Sequence, residues 1–247
     1  MFGNSIIDAY FEPYDFRESA GINLRYMIAA IPRSGSTLLT HLLWRSGALG
    51  APLEYLNEPL AKYAMQRLGF SELNLAYWNA IQSVRSSPNG VFGWKMFWAN
   101  YIELATARPE FIPFIRADRV IFVSRRDKIM QAVSYAKANK TGIWFKGAHG
   151  AEDTAVAHDD IEKAYYSLIA QERYWDAFFQ KAQVNPLRLS YEDICADPYI
   201  AVSEVGRYLD VAVDGQVKLE YVRVPDIQRS SQEASLAAAY YAAWIQK

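Results

Sequence analysis

Apolar runs alternate along this chain with polar stretches whose apolar positions recur at helical spacing. Leu24–Ile31 is a near-continuous apolar run, the pattern of a strand buried on both faces. Ser36–Ser46 follows with helical spacing, and Gly47 supplies the stop. Val91–Trp98, Arg119–Ser124 and Pro186–Leu189 read as three further strands, the first of them opened by the Asn89-Gly90 turn signal. Helical patterns cover residues 60–86, Asp127–Asn139, Ile161–Phe179 and Tyr199–Tyr208, and an Ala/Tyr-rich helix closes the chain. Residues 1–23 read as an irregular arm. Residues 140–159 are polar and glycine-rich, carry His149 and His158, and have the composition of a mobile connection or lid. Strands alternating with helices, with no repeat and no linker, predict an α/β domain with a parallel sheet flanked by helices. The predicted organisation is an arm over 1–23 and a single domain over 24–247.

Composition narrows the function classes. Hydrophobic residues make up 51% and charged residues 21% of 247, which predicts a packed core. The net charge of -1 provides no general basic field, so nucleic acid is not an expected partner and any cationic function must be a local cluster. The single Cys195 excludes an internal disulfide framework and a multi-cysteine zinc site, and the spacing of His41, His149 and His158 is not that of a metal site. The first 25 residues carry Asp8, Glu12, Asp15, Arg17 and Glu18 without the plan of a secretory signal, and no apolar run approaches the roughly 20 residues of a membrane span. A cytoplasmic protein with no integral membrane segment is expected. Aromatics at 15% are mostly core, with some room for a sugar-stacking surface.

The candidate chemistry lies at Pro32-Arg33-Ser34-Gly35-Ser36-Thr37, between the first strand and the first helix. That position places helix N-terminal N–H groups and the helix dipole at an anion. Gly35 allows close backbone approach, the hydroxyls of Ser34, Ser36 and Thr37 add donors, and Arg33 adds a planar cationic fork. A Walker A loop needs a lysine before its Ser/Thr, and none stands here, which favours a phosphate or phosphosulfate group over the triphosphate of a kinase. A serine-rich helix cap without ligand is the plain alternative. A second basic site, Arg125-Arg126 with Ser134 on the following helix, falls at the end of the third strand. Ligands of open α/β sheets bind at the carboxyl ends of strands, so two separate phosphate sites suggest a nucleotide phosphorylated on both its 5′ and 3′ sides.

Five blocks in order resemble the sulfotransferases that use 3′-phosphoadenosine-5′-phosphosulfate (PAPS), and more narrowly the bacterial trehalose 2-sulfotransferase family. They are Arg33–Leu39; Pro52-Leu53-Glu54-Tyr55; Asn89–Trp98; Arg125-Arg126-Asp127 with Gln131–Ser134; and Gln228-Arg229-Ser230. The resemblance runs from about residue 24 to about residue 240 and leaves residues 1–23 uncovered. It implies a P-loop-like three-layer α/β fold and sulfuryl transfer from PAPS, released as the bisphosphate PAP, to a hydroxyl of a carbohydrate or glycolipid, without a metal. It implies that Arg33, Ser34, Gly35, Ser36 and Thr37 hold the 5′-phosphosulfate and that Arg125, Ser134 and Arg229 bind the rest of the donor. Glu54 would be the general base, Lys95 would sit near the transferring group, and Arg33 with the loop N–H groups would stabilise the leaving bridge oxygen and the sulfuryl oxygens. In the broader sulfotransferases the arginine precedes the serine by eight residues; Arg126 has that spacing and Arg125 has nine, so both stay open. From spacing alone Glu54 is an ordinary surface carboxylate and Glu58 its rival, although Pro59 disfavours α-helix at Glu58. Lys95 also reads as a charge that snorkels from a strand end. The aromatic stripe Tyr165, Tyr166, Tyr174, Trp175 and Phe178 reads as core or subunit interface. The resemblance allows a homodimer and leaves the acceptor open. A P-loop-type kinase and a non-catalytic nucleotide-binding scaffold are the competing readings.

Overall fold

The computed structural model describes residues 6–16, 21–144, 155–213, 219–220, 222 and 231–245. Its centre is a four-stranded, all-parallel sheet of β1 (Leu24–Ala30), β2 (Val91–Phe97), β3 (Arg119–Ser124) and β4 (Leu187–Ser190), in the order β2-β1-β3-β4. β1 alternates between two apolar layers, which is why its sequence is apolar throughout. Tyr26, Ile28 and Ala30 pack on one side against Leu39 and Leu43 of α1 (Ser36–Arg45) and Ala201, Val205 and Leu209 of α8 (Pro198–Leu209). Met27, Ala29 and Ile31 pack on the other, against α3 (Leu75–Arg85), α5 (Lys128–Thr141) and α6 (His158–Lys181) through Trp78, Val133 and Trp175. Helices therefore cover both faces, and the architecture is the expected three-layer α/β fold. Of the aromatic stripe on α6, Trp175 joins the core, whereas Tyr166 and Tyr174 are exposed.

Two helical regions differ from the sequence expectation. The stretch 60–86 is two helices, α2 (Glu58–Arg67) and α3, separated where Gly69 takes φ 80° and Asn74 caps α3 by accepting from the Tyr77 amide at 2.8 Å. Glu58 is the first residue of α2 despite Pro59, because a proline in the first turn has no intrahelical N–H bond to lose. A further helix, α4 (Trp98–Ala107), starts directly from β2. Phe97 stands at its N-cap without a side-chain cap, so no turn residue marks the boundary in the sequence. The chain is completed by α7 (Tyr191–Ala196) and α9 (Ser231–Ile245). Among the described residues, no helix is long and apolar enough to cross a membrane.

Residues 6–16 form two short 3₁₀ turns, Ile6–Tyr10 and Glu12–Tyr14, whose Ala9, Tyr10 and Tyr14 enter the core. Arg67 grips Asp15 with both terminal nitrogens at 2.6 and 2.9 Å. The fully buried Arg85 bonds the Ala9 and Phe11 carbonyls at 2.8 and 3.2 Å and brings Nε to 2.9 Å from Asp15 Oδ1.

Candidate active site

Sheet order decides where the site forms. From β1 the chain passes to β2 on one side and then to β3 on the other, so the carboxyl end of β1 is the topological switch point where open α/β sheets hold ligands. The Pro32–Thr37 loop leaves β1 there. Gly35 caps α1 in the left-handed region at φ 78°, and no side chain caps the helix, which leaves its first-turn N–H groups directed outward. Close approach to a ligand is only part of what demands glycine here. A Cβ at position 35 would lie 2.5 Å from Cδ2 of Tyr191, whose ring backs the loop.

Arg33 is one of three non-glycine residues with positive φ among the described residues, at 61°. Its side chain crosses to α5, where Nε donates to Ser134 Oγ at 3.0 Å, and NH1 donates to the Trp144 carbonyl. The arginine expected at the 5′ end and the serine expected at the 3′ end of the donor are thus in direct contact. Burial lowers the Arg33 guanidinium below the usual arginine range; Glu233 opposes this and the neighbouring Arg125 charge adds to it. The half-buried Arg33 thus lies near the buried Arg125, with the Glu233 carboxylate as a nearby counter-charge.

The structure separates Arg125 from Arg126. Arg125 is buried, stacked with its guanidinium carbon 4.6 Å from the Tyr191 ring centre, and its Nε has no hydrogen-bond partner among the described residues. Arg126 is 63% exposed and pairs with Asp193 at 2.8 Å on the outer surface. The backbone N–H groups of Arg126 and Asp127 donate to Glu192 at 3.0 and 3.1 Å, so a carboxylate already fills the start of α5. Arg125 is left as the inward cation at this strand end. Ser34 Oγ is likewise buried with no partner among the described residues. Gln131 braces the loop by donating to the Pro32 carbonyl at 2.7 Å.

Lys95 does not snorkel. Parallel register sets it beside Ile28, so its side chain emerges on the α1 face, 3% exposed. Its Nζ lies 2.9 Å from Thr37 Oγ1 and 2.9 Å from Glu54 Oε1. The other carboxylate oxygen of Glu54 accepts from Asn57 Nδ2 at 2.7 Å. Glu54 itself is buried, whereas Glu58 lies on the exposed side of α2 beside Arg108 at 4.0 Å. His41 sits one turn below the loop with Nδ1 2.8 Å from the Thr37 carbonyl. Burial drives its imidazole down to about 4, against the Thr37 bond and with the Lys95 charge.

Glu54 stands on an irregular but buried segment, and side chains satisfy its backbone. Tyr26 Oη donates to Leu49 O at 2.7 Å, Thr40 to Pro52 O at 3.2 Å, Tyr77 Oη to Tyr55 O at 3.3 Å, and Tyr55 Oη to Ala51 O. The Lys95 amide donates to Leu53 O at 2.8 Å, and the Glu54 amide donates to Tyr10 Oη at 3.1 Å. Four tyrosines, Tyr10, Tyr26, Tyr55 and Tyr77, thus fasten this segment. Sequence reasoning missed Asn57 and Tyr10; the Asn-x-Pro signature of a helix start at Asn57 was the one available signal, and Tyr10 had none.

Arg229, with Gln228 and Ser230, lies outside the described residues, as does His149. At the first turn of α6, His158, Asp159 and Glu162 offer ligand atoms within 4.8 Å of one another. Carboxylates gather at helix N-termini for electrostatic reasons alone, which accounts for the grouping. A cavity of about 560 Å³ lined by Gly21, Ile22, Arg25 and Ser83 lies at the opposite, amino end of β1, away from these groups.

The family described as Stf0 sulphotransferase matches residues 25–239. Trehalose 2-sulfotransferase of Mycolicibacterium smegmatis is 29% identical over 67% of this chain and 76% of its own length. The trehalose 2-sulfotransferase of Mycobacterium tuberculosis is 27% identical over the same shares. Among solved structures, a sulfotransferase from Alicyclobacillus acidocaldarius aligns with 88% of this chain and 90% of its own at 16% identity and a TM-score of 0.46. The matched span takes in the Pro32–Thr37 loop, Glu54, Lys95, Arg125 and Ser134, and this chain belongs to the Stf0 sulphotransferase family.

Proposed function

We propose that this chain transfers the sulfuryl group of PAPS to a hydroxyl of a carbohydrate or glycolipid, with Glu54 as general base. The observation that carries this reading is the unbroken contact chain Thr37–Lys95–Glu54, with 2.9 Å at each step, which joins the anion loop to a buried carboxylate at the switch point of the sheet. The residues also suit a doubly phosphorylated donor. Ser34 Oγ and Arg125 Nε are buried polar atoms without partners among the described residues, and anionic oxygens would satisfy both. Arg33, half-buried, and Arg125, buried, are neighbouring cations with which a bound anion would pair, beside the Glu233 carboxylate already near Arg33.

The geometry supports the following division of labour. The α1 N-terminus, Ser34, Ser36 and Thr37 bind the 5′ end of the donor. Arg33 and Ser134 bridge toward Arg125, which takes the 3′-phosphate. Glu54 accepts the proton of the acceptor hydroxyl as that oxygen bonds to sulfur and the bond from sulfur to the phosphate oxygen breaks. Each carboxylate oxygen has two lone pairs, so Lys95 and Asn57 fix Glu54 and leave it able to accept. Lys95 sits between base and loop, where negative charge is redistributed during transfer. The trehalose 2-sulfotransferase relatives make trehalose the first acceptor to try.

Calorimetric titration with adenosine 3′,5′-bisphosphate, adenosine 5′-monophosphate and ATP, beside turnover of PAPS with trehalose and a panel of sugars, tests the reading. Tight binding of the bisphosphate that is lost without the 3′-phosphate is expected, with sulfate appearing on a sugar. A preference for ATP with magnesium would overturn it in favour of a kinase. Bisphosphate binding without transfer to any acceptor would leave a scaffold.

A further inference from the structure

We propose that Tyr10 is a positioning residue for Glu54, and that the segment Ile6–Asp15 which carries it is part of the catalytic apparatus; this rests on the reading of Glu54 as the base. The segment precedes the span matched by the family, which begins at residue 25. The Glu54 amide donates to Tyr10 Oη at 3.1 Å, across 44 residues of sequence. Tyr10 is 1% exposed and packs edge-on to Tyr55, with ring centres 6.1 Å apart.

The tyrosine is held as firmly as the residue it holds. Arg67 donates through Nε to the Tyr10 carbonyl at 3.1 Å while its other nitrogens clasp Asp15. Arg85 grips the carbonyls on either side, at Ala9 and Phe11. Two arginines, one from α2 and one from α3, therefore fix the backbone of residues 9–11 against the body.

The amide that Tyr10 receives belongs to the base itself. Fixing it sets the peptide plane from which the Glu54 side chain departs, while Lys95 and Asn57 fix the carboxylate at the far end. Without the hydroxyl, a buried N–H loses its acceptor and the peptide must turn to find another. Proton transfer tolerates little displacement of the base. Burial first, and then the facing Glu54 carboxylate and Tyr55, push the Tyr10 phenol well above its ordinary range. It stays protonated through any usual assay pH, so a changed pH profile in a Tyr10 variant reports on the base.

The test is a cycle of wild type, Tyr10→Phe, Glu54→Gln and the double variant. Sulfuryl transfer from PAPS to trehalose is measured, or to water where trehalose is not accepted, and PAP affinity is measured by calorimetry. Tyr10→Phe keeps the ring in the core. It is expected to lower kcat by about 10-fold or more, with PAP affinity within about twofold of wild type and the acidic limb of the kcat profile displaced. In the Glu54→Gln background it should cost nothing further. Wild-type kcat and pH profile in Tyr10→Phe, or an equal loss in the Glu54→Gln background, would overturn the proposal and leave the base assignment standing. Full turnover by Glu54→Gln would instead sink the base assignment and this proposal with it. Should Tyr10→Phe not fold, Arg67→Lys, which loosens the grip on the segment and retains the hydroxyl, is read in the same cycle with the same expected signs.

Discussion

Glu54 has one oxygen on Lys95 and the other on Asn57, so Glu54→Gln keeps the shape of the side chain but leaves the buried Lys95 without its counter-charge, at a cost in stability. Glu54→Gln is expected to lower turnover on the order of 10²-fold or more while PAP binding, read by calorimetry, stays near wild type. Arg125 offers the converse test. Arg125→Ala should weaken adenosine 3′,5′-bisphosphate on the order of 10- to 100-fold, the worth of a hydrogen bond to a charged group, and leave adenosine 5′-monophosphate unchanged. Arg126→Ala should do neither, since that side chain faces Asp193 at the surface. His41 gives a pH prediction. Its folded value near 4 lies below the ordinary 6.5, so the unfolded chain binds the proton first. The stabilisation is complete above about pH 6.5 and is lost as pH falls toward 4, amounting to at most about 3 kcal/mol. Urea unfolding from pH 7 to 4 should show this slope in wild type and a shallower one in His41→Gln. The residue types were legible in the sequence, but the choice between Arg125 and Arg126 was not. Adjacent residues leaving a strand point opposite ways, and only the packing of α7 beneath decides which one faces inward.

At the scale of elements, the β1–loop–α1 unit was readable because each part has a local signature: an apolar run, a polar turn, a helical period. Its glycine carries a requirement that the sequence did not reveal. Gly35 must take φ 78° and must also leave room for the Tyr191 ring, which comes from the far end of β4. Gly35→Ala should therefore displace Tyr191 along with the Arg125 stacked on it, and lower bisphosphate affinity by at least about 10-fold, as calorimetry would show. The Glu54 segment was the least legible element. It has neither helix nor strand period, and its backbone partners are side chains from elsewhere: Tyr26 on β1, Thr40 on α1 and Tyr77 on α3. The same absence of local punctuation concealed α4, which follows β2 without a capping residue.

For the whole molecule, residues 6–16 are tied to the body through a buried charge. Arg85 is wholly buried, and Asp15 is the carboxylate facing it. Asp15→Ala should leave that charge without its counter-ion and cost about 3–5 kcal/mol, read as a lowered midpoint in thermal or urea unfolding. The sheet order has an equally global consequence. With β1 central and β2 and β3 on its two sides, Lys95 and Arg125 flank the Pro32–Thr37 loop although they lie far from it in sequence.

By itself the sequence determined the strand and helix alternation, the position of the Pro32–Thr37 loop between β1 and α1, and the residue types that mark the sulphotransferase family. These follow from periodicity and turn chemistry that act over a few neighbouring residues. Only the tertiary structure decided that Lys95 bridges Thr37 and Glu54, that Arg33 reaches Ser134 across 101 residues, and that Tyr10 holds the amide of Glu54. Each of these contacts depends on strand register and on which face of the sheet a side chain leaves. Those are properties of pairing between distant segments, and no local pattern of apolar and polar residues encodes them.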